Sequence, residues 1–200
     1  MPGMLDTPRL PASGNTALAA SALIQAALGI EFVLSGLNKF ADPRFHQNFD
    51  AFVRASPGTQ HGVFSGLIST LVLPNVGFWA FVIKWTELLL GLVLLVGAAE
   101  IARRRFSGSF GSPHGYEAPV ALVASIAGLI AAGLSFSIFL LEGGVLPEIQ
   151  PGRALTSAIP VELLIVPLGL AIAWLEFGRF RVLKHPQPRC VRTTRSRPVR

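Results

Sequence analysis

The protein's fold class is predicted by how apolar its sequence is and by how its few charges are placed. Hydrophobic residues make up 51% of the 200 residues and charged residues only 14%, whereas a soluble domain would carry about a quarter. The apolar residues form four runs, each near the ~20 residues that a helix needs to cross the hydrocarbon core. Unpaired backbone groups are excluded from lipid, so these runs must be helices. The sequence therefore predicts an all-α integral membrane protein, a four-helix transmembrane bundle.

The predicted spans divide the chain into one membrane domain and two tails. The domain covers residues 16–178, with spans at about 16–40, 76–99, 118–141 and 158–178. Residues 1–15, which are rich in Pro and Gly, are predicted to be a flexible cytoplasmic tail. Residues 179–200 carry eight of the 17 Lys and Arg residues and form a basic cytoplasmic tail. Next to a span, such a tail is more typical of contact with anionic lipid than with nucleic acid.

The orientation of the bundle is predicted from the Lys and Arg residues of its short loops. The loop between spans two and three contains Arg103, Arg104 and Arg105, and the C-terminal tail is basic as well. The loops at residues 41–75 and 142–157 show no such excess. We therefore expect both termini in the cytoplasm and these two loops outside.

The first outer loop contains an amphipathic segment. Phe45, Phe49, Phe52 and Val53 fall on one helical face. The segment is predicted to be an extracytoplasmic interfacial helix between spans one and two. Residues 63–73 are apolar but too short to cross, so they are a second interfacial piece, a re-entrant piece or an early start of span two.

Three charged residues lie within the spans and predict a polar site. From the span ends, Glu31, Lys84 and Glu87 lie roughly 12–16 Å deep at ~1.5 Å per residue. Charges at that depth are rare and usually face a bundle interior or a wet cavity. The simplest packing places Lys84 between the two carboxylates, which leaves one carboxylate uncompensated. These three are the candidate catalytic residues. The alternative is that the cluster is a structural latch that only fixes helix register.

Other side chains are predicted to line the same pocket. Asn38 is seven residues after Glu31 and shares its side of span one. The candidate ligand-binding residues are Asn38, Lys39, Trp85 and Glu162.

Metal and haem sites are not predicted. His46 and His61 lie in the first outer loop, but their spacing fits no metal-ligand rule. The spans contain no histidine, so bis-His haem is not expected. Cys190 is the one cysteine, which excludes an iron–sulfur ligand set within the chain. Electrons, if any are transferred, must be carried by a bound molecule or a partner.

Two short motifs resemble those of the DoxX/DoxD-like family of small membrane proteins. That family's first helix ends in Gly-x-x-Lys-Phe/Leu and its second helix contains Glu-x-x-x-Gly. Here these residues are Gly36, Lys39 and Phe40 in LGIEFVLSGLNKFADP, then Glu87 and Gly91 in TELLLGLVLLVG. The resemblance covers spans one and two, whereas spans three and four match only as apolar helices.

The resemblance implies a four-helix bundle in a bacterial or archaeal plasma membrane. It also implies a likeness to the membrane subunit of thiosulfate:quinone oxidoreductase, with quinone as a substrate and a membrane or extracytoplasmic protein, or further copies of the chain, as partners. Two other functions stay open on the residues alone. One is a small-solute or ion carrier or channel, and the other is a non-catalytic accessory subunit of a larger membrane complex.

Overall fold

The described part of the protein folds into helices. The computed structural model describes residues 12–62, 64–107, 116–144 and 159–184, and all regular structure in these residues is helical. The helices are α1 (Ala12–Ala41), α2 (Phe45–Ala55), α3 (Pro57–His61), α4 (Ser65–Leu67), α5 (Val76–Ser107), α6 (Glu117–Leu141) and α7 (Val161–Lys184). A π-helical turn (Ile68–Val72) and a 3-10 turn (Leu73–Asn75) join α4 to α5. Four helical segments, containing α1, α5, α6 and α7, are long and apolar enough to cross a membrane. The predicted all-α four-helix membrane fold is thus confirmed.

Helix α5 continues beyond the apolar run that the sequence analysis took as span two. That run ends near residue 99, but α5 ends at Ser107. One cause is a salt bridge of 3.0 Å between Glu100 and Arg103, one turn apart. The arginines therefore extend the helix instead of beginning a loop. In the same way α7 ends at Lys184, beyond the predicted residue 178.

The four long helices form two antiparallel hairpins, each held by a glycine crossing. In the α1–α5 hairpin, a Cβ atom on Gly91 would lie 2.7 Å from the carbonyl oxygen of Gly29. In the α6–α7 hairpin, a Cβ on Gly128 would lie 2.6 Å from the carbonyl oxygen of Gly169. Small residues at a membrane helix crossing allow this close backbone approach. Ser125 adds a hydrogen bond of 2.8 Å to the carbonyl oxygen of Ala173 across the second hairpin.

An apolar layer fills the middle of the bundle between the hairpins. All four long helices contribute to it. Its buried members are Leu28, Phe32, Leu90, Leu94, Ala127, Ala131, Ile165 and Ile172. The layer divides the bundle into two ends. The terminal end is the one where α1 begins and α7 ends, and the loop end is the one where α1 leads into α2.

Helix α2 confirms the helix predicted between spans one and two. Its apolar face packs on the first turns of α5 rather than standing free. Phe49 and Val53 are buried in a cluster with Val76 and Ala80. The segment before α5 is helical from Ser65 onward and forms one apolar stretch with α5, Ser65–Arg103. Of the three interpretations of residues 63–73, this continuity favours an early start of span two.

Candidate functional site

A buried salt bridge joins α1 to α5 at the loop end. The ammonium of Lys39 lies 2.5 Å from Oε2 of Glu87. Ser35, one turn before Lys39 on α1, donates a hydrogen bond of 2.9 Å to the same oxygen. Lys39 also donates a bond of 2.8 Å to Ser35 Oγ. The Glu87 side chain is 3% exposed, and that of Lys39 is 24% exposed. Solvent is therefore largely excluded from the carboxylate, whereas the ammonium group is partly accessible to it.

Close helix packing brings these side chains together. A Cβ atom on Gly36 would lie 2.9 Å from the backbone nitrogen of Leu88. Gly36 neighbours Ser35 on α1 and Leu88 neighbours Glu87 on α5, so the backbones touch beside the salt bridge. The glycine thus allows the serine hydroxyl and the lysine to reach one carboxylate.

Lys84 and two aromatic rings lie beside the pair. The Lys84 ammonium is 4.9 Å from the centre of the Phe40 ring, and Phe40 follows Lys39 in the chain. Trp85 packs edge-on against Phe40, with ring centres 4.9 Å apart and planes at 83°. A cation over an aromatic face is a stabilising arrangement. We call the group formed by Ser35, Lys39, Phe40, Lys84, Trp85 and Glu87 the loop-end site.

This arrangement differs from the predicted one, in which Lys84 lay between Glu31 and Glu87. The structure pairs Glu87 with Lys39 instead. Lys84 is one turn nearer the loop end than Glu87, and its ammonium group lies over the Phe40 ring. In the described part of the chain no carboxylate pairs with Lys84. The site therefore holds two lysines and one carboxylate, and its formal charge is positive rather than negative.

Glu31 and Asn38 are not part of the loop-end site. Both side chains are exposed on the face of α1 that points away from α5. The spacing of seven residues correctly predicted that they share a face. It did not predict which way that face is turned, because spacing within one helix fixes only relative direction.

Glu162 also lies away from the site, in the first turn of α7. It is close enough to Glu142, just after α6, to act on it electrostatically. Partial burial raises the pKa of the Glu142 carboxyl, and the Glu162 charge raises it further. These two acids form a small negative patch at the loop end, where α6 ends and α7 begins.

A second buried polar cluster, which the sequence analysis missed, lies at the terminal end. Glu176 of α7 is 1% exposed and accepts hydrogen bonds from Ser21 (2.7 Å) and Gln25 (3.0 Å) of α1. Arg179 forms a salt bridge of 3.1 Å with its other oxygen. The available signals were the four-residue spacing of Ser21 and Gln25 and the glutamate inside an apolar run. Neither signal shows that these side chains meet, because α1 and α7 lie far apart in the sequence.

The two motifs that carry the resemblance to DoxX/DoxD-like proteins meet at the loop-end site. Lys39 and Gly36 come from the first motif, whereas Glu87 and Gly91 come from the second. Each motif thus supplies one partner of the ion pair and one glycine at which α1 and α5 approach each other closely. No family model, curated protein or solved structure matches the chain, so membership of that family stays a prediction.

Proposed function

We propose that this chain is the membrane subunit of a quinone-linked oxidoreductase system and that the loop-end site receives the quinone head group. One observation carries the proposal. The site combines two lysine ammonium groups and one buried carboxylate with aromatic rings that are exposed on the side of the bundle. Ammonium groups suit a ligand whose oxygens accept hydrogen bonds and gain negative charge on reduction.

The charge of the site favours such a ligand. The Glu87 carboxylate is already bound by Lys39 and Ser35, which leaves Lys84 as a cation without a carboxylate partner among the described residues. A quinone carbonyl would accept a hydrogen bond from Lys84 and be stabilised as charge develops on its oxygen. Lys39, which is partly exposed, is the second donor within the site.

The position of the rings provides a route of entry. Phe40 is 38% exposed, Trp85 39% and Phe81 56% on the outside of the bundle, where lipid would surround a membrane protein. A lipid-soluble quinone moves within the bilayer and has to enter from the side. Flat aromatic side chains are suited to stacking against its ring.

The electrons require a partner. Reduction of a quinone to a quinol consumes two electrons and two protons. The chain has one cysteine and no haem or iron–sulfur motif, so we assign the electrons to a donor protein that docks at the loop end. Glu87 is the group placed to pass a proton at the site, and Lys84 the group placed to hold the reduced oxygen.

The orientation belongs to the same proposal. The basic C-terminal tail favours a cytoplasmic terminal end by the positive-inside rule. The loop-end site then faces the outer half of a plasma membrane, and the donor is an extracytoplasmic or membrane protein.

A carrier is less well supported by the same geometry. The two polar clusters lie at opposite ends of the bundle, and the apolar layer around Leu94 and Ile172, both fully buried, separates them. A path for ions or polar solutes would need polar side chains across that layer. In the described residues the layer is made of apolar side chains.

The direct test is quinone reduction by the purified protein, alone and together with the products of its neighbouring genes. The proposal predicts turnover of a short-chain quinone only when a donor protein is added, and loss of that turnover in Lys84→Gln. Lys184→Gln is the matched control, because Lys184 likewise lies over a ring, that of Phe180, but at the terminal end. Absence of turnover with every neighbour would instead favour an accessory role.

A further inference from the structure

The outward face of α1 carries a carboxyl group that the fold does not use. Glu31 is exposed, and the described residues offer its side chain no hydrogen bond or ion pair. Asn38, seven residues later on the same face, is exposed as well. Both polar groups lie among apolar neighbours such as Ile30 and Leu34, each 54% exposed. A surface that only contacted lipid would not be expected to carry either group.

The depth of Glu31 makes its exposure costly. The membrane-crossing part of α1 is Thr16–Ala41. Glu31 is ten residues from one end of this segment and fifteen from the other, roughly 15 Å and 22 Å along the axis at ~1.5 Å per residue. The carboxyl group therefore lies near the middle of the hydrocarbon. An ionisable side chain there is rare and normally faces a protein partner or water.

The helix contacts identify what lies at the same level on the other helices. Gly91 packs on α1 between Gly29 and Val33, and thus beside the level of Glu31. Counting from these contacts and from the glycine crossing of α6 and α7 gives the exposed side chains at that level on the other three helices. They are Leu89, Leu92, Leu129, Ile130, Pro167 and Leu168. All six are apolar, so none can pair with a carboxyl group.

We propose that α1 forms a dimer interface in which the Glu31 carboxyls of two copies meet. Copies inserted with the same orientation are related by an axis along the membrane normal, so each residue keeps its depth. A partner group at the depth of Glu31 is then Glu31 of the second copy. A two-fold axis places the same surface on both sides of the contact.

The spacing along α1 fits this arrangement. Ala27, Glu31, Leu34, Asn38 and Ala41 follow one another at alternating steps of four and three, the spacing of a left-handed helix pair. All five are exposed, and we call them the α1 seam. Alanine at its ends lets the two backbones approach closely. The Asn38 carboxamides, able both to donate and to accept, meet their counterparts near the loop end.

The chemistry of the central contact is defined. Two carboxylates at short distance in a site without water repel each other, and a proton shared between them removes the repulsion. The protonated oxygen donates to a carboxyl oxygen of the second copy. The inference does not depend on the quinone site, because Lys39, Lys84 and Glu87 lie between α1 and α5 or beside them and not on the seam.

Disulfide trapping in native membranes tests the interface. In a Cys190→Ser background, Ala27→Cys on the seam should form a cross-linked dimer on mild oxidation. Ile126→Cys on α6 is the matched control. Ile126 is exposed and lies level with Ala27, since a Cβ on Gly97 would contact both Gln25 and Ala124. Cross-linking at both positions to the same extent, or at neither, would overturn the proposal.

The role of Glu31 itself is tested by measuring dimerisation in bilayers over a range of protein-to-lipid ratios. Glu31→Leu should raise the dissociation constant roughly threefold to twentyfold, as expected for a lost interhelical hydrogen bond in lipid. Glu31→Gln, which keeps a donor and an acceptor, should stay close to wild type. A wild-type protein that is monomeric at every ratio, or a Glu31→Leu variant that dimerises normally, would contradict the interface. Quinone binding by a monomeric variant would leave the proposed function intact.

Discussion

The ammonium of Lys39 on α1 lies 2.5 Å from the buried carboxylate of Glu87 on α5. This contact joins the two helices at the loop end. It lies one turn from Gly36, where the backbone of α1 meets that of α5. Because the carboxylate is almost fully shielded, the lysine and Ser35 supply its hydrogen bonds in place of water. The ion pair therefore holds α1 against α5 and also lies at the centre of the proposed site.

Lys39→Met should destabilise the bundle strongly. The substitution leaves the Glu87 carboxylate buried without its cation, and breaking a buried pair in this way costs about 3–5 kcal/mol. Thermal unfolding in detergent measures the loss. The control is Arg54→Gln, which breaks an exposed pair with Asp50, 59% and 37% exposed, and should change stability by about 1 kcal/mol or less.

A double-mutant cycle separates the contact from other effects of these substitutions. Glu87→Gln combined with Lys39→Met should be less destabilising than the sum of the single changes, since no buried charge is left unpaired. Additive effects of the two substitutions would mean that the side chains do not interact in the folded protein.

Gly91→Ala should destabilise the α1–α5 hairpin. The new methyl group would lie 2.5 Å from the backbone nitrogen of Val33, and backbone can move only if the helices separate. Overpacking of this kind typically costs about 1–3 kcal/mol. Gly133→Ala is the matched control, because a Cβ there meets no atom within 4 Å. It should be neutral or slightly stabilising, since alanine favours helix over glycine. Equal melting temperatures for the two variants would contradict the crossing.

Arg179→Met should destabilise the terminal end. Arg179 neutralises Glu176, which is 1% exposed, so its loss leaves a buried charge held only by Ser21 and Gln25. A cost of about 3–5 kcal/mol is expected. Arg181→Met, two residues later and exposed, should have little effect. If both variants melt alike, the terminal-end cluster does not hold α7 to α1.

The stability of the folded protein should depend on pH through Glu142, and the raised pKa of its carboxyl fixes the direction of that dependence. Burial, and then the charge of Glu162, raise the pKa of its carboxyl above the ordinary value of 4.5. The folded state therefore keeps the proton to a higher pH than the unfolded state. Stability should fall as pH rises from about 4.5 through the raised pKa. Melting curves across this range should show the fall in wild type and a smaller one in Glu142→Gln. An identical pH profile for both proteins would count against the assignment.

The fold could be predicted from the sequence because it depends on length and hydrophobicity. Four apolar runs near the length of a membrane span leave few alternatives. The site was harder to predict. Spacing correctly predicted that Glu31 and Asn38 share a face of α1. The direction in which that face points is set by the glycine contacts of α1 with α5, and the residue pattern of one helix carries no information on those contacts.

Side-chain length explains a second difference. The sequence predicts Lys39 as a ligand-binding residue, and in the structure its long side chain reaches the carboxylate of Glu87 inside the bundle. The cluster around Glu176 could not be predicted for a related reason, because its partners Ser21 and Gln25 are more than 150 residues away in the sequence. Contacts between helices distant in sequence decided both outcomes.

The most direct test of the proposed site is the affinity of a short-chain quinone for the purified protein, measured by quenching of tryptophan fluorescence. Trp85 lies in the site, so a Trp85→Phe variant identifies its share of the signal. We predict saturable quenching in wild type and in Lys184→Gln, with at least about tenfold weaker binding in Lys84→Gln. One hydrogen bond to a charged group contributes roughly 1.5–3 kcal/mol, and tenfold corresponds to ~1.4 kcal/mol. Absence of saturable binding in the wild-type protein, or the same affinity in wild type, Lys184→Gln and Lys84→Gln, would contradict the proposed site.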